Sequence, residues 1–275
     1  MKLMTVNTHS WLEQEPLEKL EQLAKKIQIE QYDVIGLQEI NQLIDSESVT
    51  EEELSGFCPV ENQTPIHQDN FVYCLIKRLR ELGEEYFWSW EMSHIGYDIY
   101  EEGNALLSRT PLESEALLVS ESQEKENYRT RKLLVGKTFF QGKEIIAASC
   151  HFSWWEDEKS GFAYEWAKSQ KHLSRQDTPI FLLGDFNNPS GESGYQLVEK
   201  SVLHIQDAFT KARKTIGEAT IEKTIDGWEN NNEKLRIDYI FVPENREVLQ
   251  YQVIFDGKQE AIISDHFGVA VKLGE

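Results

Sequence analysis

Short apolar runs in this chain end, again and again, on a carboxylate, an amide or a histidine. KLMTVN (2–7) leads to Asn7 and His9, DVIGLQ (33–38) to Gln38 and Glu39, EIIAASCHF (144–152) to His151, and PIFLLGD (179–185) to Asp185 and Asn187. LRIDYIFV (235–242) carries Asp238 within it, and Asp265 and His266 stand just before GVAVKL (268–273). Runs of this length and composition predict strands. A strand that only packs can end on any turn sequence. Polar chemistry repeated at strand ends therefore predicts a sheet protein whose ends open onto one crevice.

Between these runs lie segments with helical spacing. PLEKLEQLAKKIQIEQ (16–31) opens on proline and repeats its apolar residues at helical intervals; NFVYCLIKRLREL (70–82) and EKSGFAYEWAKSQKHLSRQ (158–176) also read as helices. Further strands are predicted at EYFWSWEM (85–92), ALLSR (105–109), EALLVS (115–120), KLLVGKTFF (132–140) and VLQYQVIF (248–255). Many strands, several in hairpins, with a few helices between them predict a mixed α/β protein in which sheets pack on each other and helices cover the outside. No linker or composition break divides the 275 residues. One domain over 1–275 is expected, interrupted by a polar, exposed loop or insertion at about 45–70.

With 40% hydrophobic and 11% aromatic residues the chain has ample material for a core. Cys58, Cys74 and Cys150 form neither a disulfide framework nor a paired metal clip, which suits a reducing compartment. No apolar run approaches the roughly 20 residues of a membrane span. MKLMTVNTHSW lacks a secretory apolar region and cleavage site, so a soluble, cytoplasmic protein is expected. Against 28 Lys and Arg stand 48 Asp and Glu, a formal net charge of −20. Such a surface repels polyanions and disfavours duplex nucleic acid as a partner, although a locally basic site can still take one phosphate.

Asn7, Glu39, Asp185, Asn187 and Asp265 are oxygen donors, unaccompanied by a cysteine cluster or an HExxH pattern. That inventory suits a hard divalent ion such as Mg²⁺ or Mn²⁺ rather than zinc. His151 and His266 can contact a phosphoryl oxygen or move a proton, and Asp238 is suited to fixing a histidine's tautomer. Each position has a plain structural alternative: Asp185 as a turn cap, Asn7 in an Asx turn, Glu39 and Asp265 as surface acids. Asp238 resists this best, because an acid set among Ile237, Tyr239, Ile240 and Phe241 is costly to bury unpaired. The constellation outweighs its members.

NTHSW (7–11), GLQEI (36–40), GYDIYEEGNALLSR (96–109), SCHF (149–152), LLGDFN (182–187), RIDYIFV (236–242) and SDHFGV (264–269) follow the order and approximate spacing of a known superfamily. Nearly end to end, the chain resembles the endonuclease/exonuclease/phosphatase (DNase I-like) metal-dependent phosphoesterases. The resemblance implies a four-layer α/β sandwich, two mixed β-sheets face to face with helices outside. It implies Glu39 as the principal metal ligand with Asn7 and Asp265 nearby, and Asp185 and Asn187 orienting the attacking water and the phosphate. It further implies His266 paired with Asp238 against the scissile phosphate, His151 on the opposite oxygens, and Asn104 supporting the substrate site through hydrogen bonds. On this reading IFLLG is a buried strand that presents Asp185 and Asn187 on one face, turns Phe186 into the core and is stopped by Pro189.

Clues to the substrate are fewer. NYRTRKLLVGK (127–137) brings together Arg129, Arg131, Lys132 and Lys137, either a site for a second phosphate or the exposed face of a strand; Arg109 has the same two readings. Trp154 and Trp155, following His151, either stack a base, sugar or lipid or pack beneath the 158–176 helix. Trp228, in the loop leading to Asp238, is either a substrate contact or a structural residue. Charge and the lack of a leader favour hydrolysis of a phosphorylated small-molecule or lipid-like substrate, as a phosphomonoester or phosphodiester. A nuclease acting on short single strands is the alternative, and a catalytically silent phospho-ligand binder is the alternative from another class. A serine hydrolase is disfavoured because Ser264, Asp265 and His266 are consecutive and cannot form a triad.

Overall fold

The computed structural model describes residues 1–157, 159–222 and 233–274. It opens with β1 (Lys2–Asn7), α1 (Pro16–Glu30) and β2 (Val34–Leu43). In α1, Leu20, Leu23, Ala24 and Ile27 recur at three- and four-residue intervals and are all buried, so one stripe of the helix faces the sheet. Pro16 sits in the first turn, where its missing N–H has no helical partner to lose. The next helix, α2 (Phe71–Glu81), is started by Asn70, whose side chain accepts the Tyr73 N–H at 3.1 Å. A hairpin of β3 (Phe87–Gly96) and β4 (Tyr100–Ser108) follows, then β5 (Glu113–Leu118), β6 (Lys132–Phe140), β7 (Lys143–His151), α3 (Phe162–Leu173) and β8 (Ile180–Asp185). Short elements between Ser193 and Ile216 were not foreseen: α4 (Ser193–Glu199), β9 (Ile205–Asp207), α5 (Ala208–Lys211) and β10 (Lys214–Ile216). They are too brief to carry a periodic signal. The chain closes with β11 (Asp238–Pro243), β12 (Val248–Ile254) and β13 (Gly268–Leu273).

The strands form a seven-stranded sheet in the order β10-β12-β13-β1-β2-β4-β3 and a six-stranded sheet in the order β5-β6-β7-β8-β11-β9. Their inner faces meet in a core that includes Leu3, Leu106, Phe181, Leu183, Ile240 and Val269. The outer face of the first sheet packs on α1 and α2 through Leu23, Ile27, Leu75 and Trp90. The outer face of the second packs on α3 and α4 through Phe162, Trp166, Tyr195 and Val198. This is the four-layer α/β sandwich expected from the sequence. β8 is buried at every residue because it lies between β7 and β11 with a packed layer on each face, which explains why IFLLG is continuously apolar. No helix among the described residues is long and apolar enough to cross a membrane.

Two expectations change. Gln38 turns between the sheets, where its Nε2 donates to Ser149 Oγ at 2.8 Å, so it ties the layers together rather than facing a crevice. The 45–70 segment is not simply an exposed loop. Cys58 N–H donates to the Trp88 carbonyl at 2.7 Å, Trp88 N–H to the Gly56 carbonyl at 2.9 Å, and Val60 and Ile66 are buried. The segment runs along β3, the outermost strand of its sheet, and covers an edge that would otherwise offer unpaired backbone groups.

Candidate active site

Strand register brings the polar ends to one rim. Asn7 ends β1 opposite Gln38 of the parallel β2, and β13 runs back along β1 with Val269 opposite Thr5, which returns Asp265 and His266 to Asn7. In the other sheet His151 of β7 stands beside Asp185 of β8, and Asp238, the first residue of β11, faces Asp185 from the other side. Asn7 joins the two sheets: its Nδ2 donates to Glu39 Oε1 at 2.8 Å and to Asp185 Oδ2 at 3.2 Å.

Glu39 reaches this rim through an irregularity. Leu37 packs toward the helices and Gln38 between the sheets, so regular alternation would turn Glu39 toward the helices. Instead the β2–β4 register slips between Leu37 and Ile40, and Glu39 takes a left-handed φ of 53°. Ser10 Oγ donates to the Glu39 carbonyl and receives the Asn41 N–H, while Thr8 Oγ1 donates to the Gln38 carbonyl at 3.0 Å, which pins the bulge.

Strand alternation also fails to account for Asn187. β8 stops at Asp185, and Asn187 has a left-handed φ of 50°. Its N–H donates to Asp185 Oδ1 at 2.8 Å, its Nδ2 to Asp185 Oδ2 at 3.2 Å and to the Phe152 carbonyl at 3.0 Å. An Asx-type turn, not Pro189, therefore ends the strand, and it locks the Asp185 carboxylate in place. Phe186 is buried in the core as expected. Gly184 is needed beside it: a Cβ there would fall 1.9 Å from the Cys150 carbonyl oxygen, so a side chain would hold β7 and β8 apart.

The distances suit a shared third atom. His266 Nδ1 lies 3.0 Å from Asp238 Oδ2, and its Nε2 lies 3.8 Å from Asp185 Oδ2. His151 Nε2 is 3.8 Å from Asp185 Oδ2 and 3.9 Å from Glu39 Oε1. The last three separations are beyond direct hydrogen bonding but let both groups contact one atom between them. Burial, with the Asp238 charge added, pushes the Asp185 carboxyl up to about 8. Burial and Asp265 also raise Glu39. Burial opposes charge on His266, yet Asp238 and Asp185 outweigh it and hold the ring protonated well above its ordinary range. His151 is driven well below that range by burial, assisted by Arg131, His94 and His266. One histidine is thus a cationic donor and the other neutral, an environment-set division of labour.

Asp265 meets partners that sequence reasoning did not assign. Its N–H donates to Glu13 Oε1 at 3.0 Å, and its carboxylate lies 3.9 Å from His9 Nδ1, which itself contacts Glu13 Oε1 at 2.9 Å. Although burial opposes it, Glu13, Glu39 and Asp265 lift His9 to about 9. His9, Glu13 and Asp265 present ligand-type atoms within 4.8 Å of one another, as do Asp185, Asp238 and His266. The signal for Glu13 was its place four residues after His9, visible only once the intervening turn was known.

A cleft of about 450 Å³ opens beside these groups, lined by Glu39, His151, Asp185, Asn187 and His266 and, across from them, by His94, Tyr97, Glu102, Tyr128, Arg131 and Trp154. The basic 127–137 stretch does not act as a patch. Arg129 pairs with Asp157 at 2.6 Å and Lys132 with Glu91 at 3.1 Å, leaving Arg131 of that set in the cleft, buried rather than on an exposed strand face. Trp154 lines the cleft, whereas Trp155 donates to the Ser160 carbonyl at 2.7 Å and carries the Arg129 guanidinium over its ring. Arg109 is structural, paired with Glu84 at 2.7 Å. Asn104 is not among the residues lining the cleft: its Nδ2 donates to the Lys132 carbonyl at 2.8 Å and links the sheets instead. Trp228 lies outside the described residues.

Two face-to-face sheets with carboxylates, amides and two histidines gathered at one rim define a DNase I-like sandwich hydrolase. The model of the Endonuclease/Exonuclease/phosphatase family matches residues 7–266, and the chain belongs to that family, whose members hydrolyse phosphoesters. Among solved structures it is similar to an endonuclease/exonuclease/phosphatase family protein from Leptotrichia buccalis, with 30% identity, 100% of both chains covered and a TM-score of 0.86. It is also similar to a mannosyl-6-phosphatase from Bacteroides thetaiotaomicron (19% identity, 100% of both chains, TM-score 0.71). D. rerio TDP2, complexed with a single-strand DNA product, aligns at 13% identity over 100% of this chain and 99% of that one, with a TM-score of 0.66. These last two likenesses concern the fold. No curated protein matches the chain significantly.

Proposed function

We propose that this chain is a divalent-metal-dependent phosphoesterase that hydrolyses a phosphomonoester or phosphodiester of a small or lipid-like substrate by in-line attack of an activated water. The observation that carries the reading is the gathering of Glu39, His151, Asp185 and His266 at one rim, with Asp185 Oδ2 3.8 Å from both histidine Nε2 atoms and Glu39 Oε1 3.9 Å from that of His151.

The donor set fits Mg²⁺ or Mn²⁺. Glu39 is raised by burial and by Asp265, and a cation between oxygen donors relieves that crowding, as hard ions with carboxylate ligands do. Glu39 would hold the ion, with Asn7 and Asp265 beside it. When bound, the ion supplies neutralisation of the charge that develops on phosphoryl oxygens. Asp185, fixed by Asn7 and Asn187, takes a proton from the attacking water in its ionised form, whose proton affinity burial and Asp238 raise. The water oxygen bonds to phosphorus as the ester P–O bond breaks, and the departing oxygen takes up a proton from solvent. His266, held charged by Asp238, donates its Nε2–H to one non-bridging oxygen, and neutral His151 donates from the opposite side.

Assays of p-nitrophenyl phosphate and bis-p-nitrophenyl phosphate with Mg²⁺ or Mn²⁺, before and after chelation, test this. Ion-dependent turnover that disappears in Glu39→Ala supports it. Undiminished turnover in Glu39→Ala refutes it, and inertness with both ions favours a phospho-ligand binder instead.

A further inference from the structure

The catalytic groups occupy one side of the cleft, and the opposite wall has a chemistry of its own. That wall is built by the β3–β4 hairpin, the segment before β6 and the segment after β7.

At the hairpin tip Tyr97 and Asp98 both have left-handed φ, 52° and 63°, and Ile99 N–H donates to the Gly96 carbonyl at 3.2 Å. Such two-residue turns favour Asn, Asp or Gly, so a tyrosine at the first central position is strained. With Tyr97 51% exposed, core packing does not explain the choice. Behind it Arg131 is only 4% exposed; Nη1 donates to His94 Nδ1 at 3.2 Å and to the Tyr128 carbonyl at 2.9 Å, while Nε has no hydrogen-bond partner among the described residues. His94 Nε2 lies 3.4 Å from Glu102 Oε1, so one imidazole sits between a guanidinium and a carboxylate. Glu102 lies so close to Gly96 that a Cβ there would fall 2.9 Å from Oε2. Tyr128 and Trp154 complete the wall.

A fixed donor and a fixed acceptor framed by aromatic faces match a ring that carries vicinal hydroxyls. Hydroxyls donate to the carboxylate and accept from the guanidinium, while the C–H face of the ring lies on an aromatic face. Glu102 disfavours a second phosphate at this wall, and a polyanionic strand would meet the same carboxylate. We propose that the outer half of the cleft is a saccharide-type subsite, and that the substrate is the monophosphate of a polyhydroxylated six-membered ring. The phosphate lies at Glu39 and His266, and the ring hydroxyls lie at Glu102 and Arg131. This rests on the phosphoesterase reading. The same chemistry occurs in soluble sugar phosphates and in phosphorylated inositol headgroups.

The test measures initial rates with Mg²⁺ on a hexose 6-phosphate, phosphatidylcholine vesicles carrying an inositol-phosphate lipid, a 5′-nucleotide and p-nitrophenyl phosphate, which has no hydroxyls. Wild type is expected to favour one of the two ring phosphates over p-nitrophenyl phosphate and the nucleotide by about tenfold or more in kcat/KM, and which one it favours identifies the source. Glu102→Gln and Tyr97→Gly are expected to shrink that ratio by about tenfold, chiefly through KM. Tyr97→Gly relieves the turn, so loss of folding does not confound it. Saturable change of cleft tryptophan fluorescence with hexose 6-phosphate in Glu39→Ala, weakened by adding Tyr97→Gly, gives a readout apart from turnover. Preference for the nucleotide or p-nitrophenyl phosphate, or ratios unmoved in both variants, overturns the subsite while leaving the phosphoesterase reading standing. Inertness toward every ester overturns both.

Discussion

Replacing Asp238 with asparagine keeps the shape of the His266 contact and removes its charge. Asp238 Oδ2 lies 3.0 Å from His266 Nδ1, with both residues buried. Two opposite charges about 4 Å apart attract by about 4 kcal/mol at the effective dielectric of 20 that suits protein sites. Loss of that attraction should move the His266 titration down, since Asp238 is the largest of the charges that hold it above its ordinary range. Burial already opposes the charge, and Asp185 and Asp265 are then left to support it, so the ring in Asp238→Asn should lose its proton at a lower pH than in wild type. Loss of a charged donor to the phosphoryl oxygen should lower kcat by about 10² to 10³. Nitrogen-15 NMR of the histidine rings reads the protonation state, and steady-state kinetics on p-nitrophenyl phosphate read the rate. If the His266 titration does not move down in the variant, or kcat stays within about threefold of wild type, the charge argument is wrong.

Glu39→Gln removes a carboxyl that burial and Asp265 both raise; the metal-free protein should melt higher, and the rise in Tm on adding Mn²⁺ should vanish. Differential scanning calorimetry with and without the ion checks both. Gly184→Ala places a Cβ 1.9 Å from the Cys150 carbonyl, so β7 and β8 must part. Overpacking of this kind costs about 1–3 kcal/mol or more, and displacing Asp185 from His151 by about 1 Å should cut kcat about 10²-fold, both readable from a urea titration and an activity assay. His94 is held down to about 3 by burial and by Arg131, so its neutral form is favoured by folding. That contribution is complete above the ordinary histidine range near 6.5 and is lost as pH falls from there toward 3. In His94→Gln the loss of Tm across that window should be shallower than in wild type.

The layers of this protein were legible because burial leaves a periodic trace. IFLLG reads as a doubly covered strand, and Leu20, Leu23, Ala24 and Ile27 read as one helical stripe. The short elements between Ser193 and Ile216 left no such trace, and the 45–70 segment looked exposed because its ties to Trp88 are made by backbone groups that any residue carries. For the candidate site, the residue types at strand ends were visible, and the mechanism that aims them was not. Asn187 was placed by strand alternation, whereas a left-handed turn puts it on Asp185. Arg131 read as one charge in a basic run until pairing of Arg129 with Asp157 and Lys132 with Glu91 left it in the cleft.

Local pattern alone was enough for the alternation of strands and helices, the two-sided burial of the central runs and the oxygen-rich character of the strand ends, since each depends on neighbours within one element. The tertiary structure decided the rest. The slipped register that turns Glu39 to the rim, the close approach of Gly184 to Cys150 and the imidazole set between Arg131 and Glu102 all join residues far apart in the chain. Hydrogen bonding and steric exclusion act across space, and no periodicity along the chain records them.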